Sequence, residues 1–222
     1  MTLTLHAHPL SSYCWKGLIA LYEYDLPFTF HMVNFGDEAS AAEFAALWPL
    51  AKMPALVDDD GPGGARRVLV ESSIVIEYLT LHHAGAKRLI PADADAALEV
   101  RFMDRVFDNY VMTPMTQVVF NRMRPTDARD PFGVEQARAL LDKTYAWLDA
   151  KLTGGDWAAG GDFSMADCAA APSLHYAEKV QSMAGRFPNV AAYLARLEAR
   201  PSVARVLEEA TPYAHFFPQE PA

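Results

Sequence analysis

Lys52-Met53-Pro54-Ala55-Leu56, residues 52–56, places a proline at the mouth of an apolar run, and Glu71-Ser72-Ser73-Ile74, residues 71–74, places an acid and two hydroxyls at the mouth of a helix. Proline removes a backbone donor, and with a cis bond before it Met53 turns its own N–H and C=O outward to pair with an extended ligand. Ser72 opens a helix whose unpaired N–H groups and positive dipole end attract an anion. Together the two stretches make a cradle for a small peptide bearing a carboxylate. Upstream, Pro9-Leu10-Ser11-Ser12-Tyr13-Cys14 sits at a strand-to-helix junction and supplies a hydroxyl for thiol chemistry beside that peptide.

Working outward, the first part of the chain alternates element types. Strands are expected at about 2–8, 28–33, 55–58 and 68–70, and helices at 12–24, around 39–48, and at 72–83, a βαβ unit followed by ββα. Asp58-Asp59-Asp60-Gly61-Pro62-Gly63-Gly64 reads as a long hairpin connection. From Asp93 strands vanish, and helices are expected at about 93–123, 134–152, 165–183, 189–199 and 202–210. The expected organisation is therefore α/β plus all-α: residues 1–83, a linker at 84–92, and a helical bundle over 93–222.

The chain has 222 residues, 51% hydrophobic and 21% charged, with a net charge of -9, enough apolar content to bury a substantial core. Its acidity and scattered Lys and Arg argue against nucleic acid or an anionic membrane as partner. Cys14 and Cys168 fall in different expected helices, which suits a reducing cytoplasm, and neither a signal peptide nor a bilayer-spanning run is read. His6 with His8, and His82 with His83, lack a third ligand, so no metal site is expected. Ser164-Met165-Ala166-Asp167 reads as a capping box, flanked by Phe163 and Cys168 as a hydrophobic staple, with a structural role only.

In this order the motifs resemble those of bacterial cytosolic glutathione transferases over nearly the whole chain. Ser11-Ser12-Tyr13-Cys14-Trp15-Lys16-Gly17-Leu18 is similar to the family's first helix and nearest the Ser-Ser-Cys pattern of the zeta class. Residues 52–56 resemble its cis-proline motif, residues 71–74 its γ-glutamyl-binding motif, and residues 164–167 its capping box. The resemblance implies a thioredoxin-like domain, a helical domain, a homodimer, and glutathione as co-substrate without metal.

It further implies that Ser11 donates a hydrogen bond to the glutathione thiolate, with Ser12, Tyr13 and Cys14 as alternatives; Ser11 or Ser12 read alone is also an ordinary helix cap. Glu71 would take the ligand's ammonium, Ser72 its γ-glutamyl carboxylate, Met53 its cysteinyl backbone, and Lys52 its glycyl carboxylate, with Pro54 shaping the turn. A pocket for a small hydrophobic electrophile is expected between the domains from Trp15, Phe107, Tyr110, Met112 and Met115, at a kink set by Pro114. Tyr13 stands where the zeta pattern has cysteine, a departure from the motif of that isomerase class. A Cys14 thiol transferase, a glutathione-dependent isomerase and a non-catalytic docking module stay open as other readings.

Overall fold

Residues 3–85 and 87–220 are described by the structure, a computed structural model; the expected strand start at Thr2 and the linker's Ala86 lie outside them. Strand β1 (Leu3–Ala7) turns Leu3, Leu5 and Ala7 to one face and His6 to the other, as the period of two requires. It pairs in parallel with β2 (Phe28–Met32) and antiparallel with β3 (Ala55–Gly61), which pairs antiparallel with β4 (Ala65–Val70). The sheet order is β2-β1-β3-β4. Helix α1 (Ser12–Glu23) is the crossover that parallel pairing demands. It lies with α3 (Ser72–His82) against the sheet, where a Cβ at Gly17 would just touch Leu5 and Val75.

Helix α2 (Glu38–Leu47) lies against the opposite face, where Phe44, its one buried residue, meets Val33 and Ala55 in a small cluster of its own. The remaining core is continuous, running from Leu5 and Trp15 through Phe107 and Tyr145 to Tyr193. Two turns differ from the sequence reading. The hairpin connection is Pro62–Gly64 only, because β3 continues through the acidic run. Asp58 is buried there and accepts the Tyr78 hydroxyl at 2.8 Å, while Gly61 leaves room for that hydroxyl, which a Cβ would approach to 2.9 Å.

The expected long helix is broken into α4 (Ala94–Val106) and α5 (Thr113–Met123) by a π-helical turn, Phe107–Met112. Pro114, in the first turn of α5, brings no N–H, and the wider turn absorbs that loss while Thr113 donates its hydroxyl to the Asp108 carbonyl at 3.0 Å. The bundle is completed by α6 (Pro131–Lys151), α7 (Met165–Glu178), α8 (Pro188–Glu198) and α9 (Pro201–Ala210). The capping box at the start of α7 is present. Its acid does more than cap: Asp167 is fully buried and accepts the Ser164 N–H at 2.8 Å, the Ala158 N–H at 2.9 Å and the Tyr193 hydroxyl at 2.5 Å, joining α7 to α8.

Candidate functional site

A cavity of about 630 Å³ opens where the start of α1, the entry to β3, the start of α3 and the end of α4 converge. Lys52, Met53, Pro54, Glu71, Ser72 and Tyr13 all line it, so residues far apart in sequence share one wall. The Met53–Pro54 peptide is cis. Ser72 is the first residue of α3, is buried, and lies at that helix's positive end. The residue before it, Glu71, holds φ at 67° and ψ at 115°, a conformation that costs a side-chain-bearing residue roughly 1–3 kcal/mol. Such strain persists where the surroundings fix it, and here it sits at the mouth of the anion-attracting helix end.

Among the hydroxyls and the thiol of the β1–α1 junction, Tyr13 alone lines the cavity. Burial, with Asp108 nearby adding to it, pushes the Tyr13 phenol up to about 12, so at neutral pH it is a proton-bearing hydrogen-bond donor. Ser11 caps α1, its Oγ accepting the Cys14 N–H at 3.4 Å, and Ser12 begins the helix. Cys14 is fully buried, and burial pushes its thiol up to about 12 against the opposing bond from the Ser11 hydroxyl. That leaves almost no thiolate at neutral pH, so a Cys14-centred thiol transferase loses its nucleophile.

The residues expected in an electrophile pocket are not brought to this cavity. Trp15, Phe107, Met112 and Met115 are buried in the continuous core and none lines this cavity. Trp15 donates its indole N–H to the Pro9 carbonyl at 2.6 Å, and Phe107 packs 6.4 Å from the Tyr193 ring. Their helical spacing serves the sheet–bundle and α7–α8 packing, the ordinary use of an apolar stripe. Tyr110 is half exposed and borders a separate depression of about 360 Å³ with Phe102 and Trp147.

The cavity wall on the bundle side is charged. Lys16, fully buried in α1, donates to Ser73 Oγ at 3.0 Å and lies 2.8 Å from both Asp104 Oδ1 and Asp108 Oδ2. Arg105 covers the same two carboxylates from the solvent side, 2.6 Å from Asp108, and bonds Ser73 as well. Burial pushes the Asp108 carboxyl up while Lys16 pulls it down. Two cations, two carboxylates and a hydroxyl therefore lock α1, α3 and α4 together next to Ser72. Sequence reasoning missed Lys16, Ser73, Arg105, Asp108 and Asn109. A signal was there: a lone lysine within the apolar stretch Trp15–Leu21, and two aspartates four residues apart on one helix face.

Known proteins resemble this chain over most of its length. Residues 5–87 match the family model for the glutathione S-transferase N-terminal domain, and residues 131–196 that for its C-terminal domain. Glutathione S-transferase GstB of Escherichia coli is 28% identical over 211 residues, covering 92% of this chain and 97% of that protein. A probable maleylacetoacetate isomerase of Vibrio cholerae is 27% identical, covering 96% of this chain and 99% of its own length. The crystal structure of a glutathione S-transferase from Methylobacillus flagellatus with GSH bound superposes with a TM-score of 0.81 at 25% identity, covering 92% of this chain and 98% of that one.

Proposed function

The chain belongs to the glutathione S-transferase superfamily, and on that premise we propose that it binds glutathione in the Tyr13–Ser72 cavity and holds the sulfur as a thiolate for attack on a small electrophile or hydroperoxide. One observation carries this reading: Lys52, Met53, Glu71, Ser72 and a phenolic donor, Tyr13, converge on a single cavity beside a helix N-terminus. Ser72 and the α3 terminus receive the γ-glutamyl carboxylate, Glu71 the ammonium, the Met53 backbone the cysteinyl unit and Lys52 the glycyl carboxylate. A hydroxyl of the β1–α1 junction donates to the sulfur; its place in the cavity favours Tyr13, and the family pattern favours Ser11. Residues 1–83 are the glutathione-binding domain in this reading, 84–92 the linker and 93–222 the helical domain, acting in the cytoplasm.

Titration calorimetry tests it. The parent protein is expected to bind glutathione saturably, and Ser72→Ala to weaken binding about 10- to 150-fold, the loss of one hydrogen bond to a charged acceptor, worth about 1.5–3 kcal/mol. No binding at millimolar glutathione would end the reading.

We also propose a homodimer through the exposed face of α4 and α6. Phe102 and Trp147 are half exposed there, edge to face at 6.1 Å, and Tyr110 of the adjoining π-helical turn is half exposed beside them. Sedimentation equilibrium at micromolar concentration should give twice the chain mass, and a single species at the chain mass would rule the dimer out.

A further inference from the structure

Beneath α2, on the sheet face away from the main core, two histidine rings meet. His6 on β1 and His31 on β2 are register partners, their ring centroids 4.5 Å apart and their planes tilted by 35°. His6 also faces the Phe44 ring of α2, 6.5 Å away, and its strand partner on the other side is Ala55 of β3. It is 8% exposed, and its buried Nδ1 has no hydrogen-bond partner among the described residues. His31 is partly exposed, and its Nε2 lies 3.5 Å from the Glu43 carboxylate on α2.

This arrangement bears on the cavity because of how little holds α2. Phe44 is the helix's one buried residue, and it packs with Val33 and Ala55 in the small cluster separate from the main core. Met53, which lines the cavity, rests on that same cluster. A charge introduced beside Phe44 therefore acts at once on the anchor of α2 and on the support of Met53.

We infer that the neutral His6 ring is a positioning residue for the Met53 side of the cavity, and that protonating it releases α2 from the sheet. The proton has no good place to go while α2 is seated: a second donor on His6 would point into apolar packing, and the imidazolium would lie against the His31 ring. Burial holds His6 below the usual histidine range, with repulsion from His31 and Arg66 in the same direction and Glu43 opposing them. The sign follows. Seated α2 binds the His6 proton less tightly than released α2 does, so the seated state is at full strength above the ordinary histidine value and weakens as pH falls through it.

For ligand affinity this rests on the glutathione reading; for α2 it stands alone, and the experiment keeps the two apart. Hydrogen exchange of the ligand-free protein is followed through α2 from pH 7.5 to 5.5, corrected for the intrinsic exchange rate, alongside binding of S-methylglutathione, a thioether with no thiol to titrate. Protection of α2 is expected to fall selectively on acidification, with the S-methylglutathione Kd rising more than about threefold. His6→Phe should abolish both effects. His31→Gln should weaken both effects and move their midpoint to lower pH, because losing the neighbouring ring that repels the His6 charge brings the proton affinity of the seated state closer to that of the released one. Where His6→Phe does not fold, His6→Asn serves as the untitratable variant.

Exchange in α2 that is independent of pH, or a pH dependence that survives the His6 substitution, overturns the inference. Absence of S-methylglutathione binding at pH 7.5 overturns the glutathione reading instead, and the exchange data still decide the role of His6.

Discussion

Lys16→Met should destabilise the protein by about 3–5 kcal/mol at neutral pH, more than any surface substitution in the same helix, because it strands two buried carboxylates. Methionine matches the lysine stem in length and flexibility, so the loss is electrostatic rather than a cavity. Arg105 alone then faces Asp104 and Asp108, and it does so from the solvent side with its own side chain half exposed.

The pH dependence of this loss has a definite sign. Without Lys16, burial and repulsion from Asp104 raise the Asp108 carboxyl of the folded variant further above its unfolded value. The folded variant therefore binds protons more tightly, and its stability is greatest at low pH and declines as pH rises through the folded value. Chemical denaturation of parent and variant at pH 5 and pH 8 should show the smaller deficit at pH 5. Adding Asp108→Asn to Lys16→Met should recover part of the deficit, since one stranded charge is gone. An unchanged midpoint in Lys16→Met would mean the cluster contributes nothing net to folding.

The contrast between what could and could not be read beforehand lies in the range of the forces. Met53-Pro54, Glu71-Ser72 and Ser164–Asp167 act through their own backbone: a missing donor, a helix end, a cap. Those effects are local, so residue type and spacing expose them directly, and the first two turn up in the cavity wall. The Lys16 cluster depends on Asp108, 92 residues away in the chain, and no periodicity reports such a pairing. Apolar helix positions are ambiguous for a related reason. Phe107 and Met112 carry the right residue type for a pocket, but whether a neighbour covers them is decided by α7, and here they are buried. The acidic run after Val57 misled in the opposite direction: composition favoured a loop from the end of the expected strand at Asp58, while β3 continues through Asp59 and Asp60 to Gly61.

Tyr13→Phe should lower kcat/KM for conjugation of glutathione to chlorodinitrobenzene by about 10- to 150-fold, with little change in glutathione affinity. A hydrogen bond to a charged acceptor is worth about 1.5–3 kcal/mol, and each 1.4 kcal/mol is a factor of ten in rate. The bond in question is to the sulfur in its anionic form, so losing it raises the pKa of the bound thiol and shifts the rate profile to higher pH. Ser11→Ala should behave differently. Its hydroxyl caps α1 through the Cys14 N–H, so the variant should lose about 1 kcal/mol of stability while keeping most of its turnover. Cys14→Ser should be active as well, because a buried, protonated thiol holds no electron pair ready for attack. The reverse pattern, with turnover intact in Tyr13→Phe and the profile displaced in Ser11→Ala, would return the thiolate contact to Ser11. In that case Ser11 could keep its cap, since its oxygen accepts the Cys14 N–H while its own proton turns to the ligand. Glutathione titrations of all three variants separate these outcomes from a simple loss of binding: a thiolate donor changes rate and pH profile at constant Kd, and a cap changes the denaturation midpoint alone.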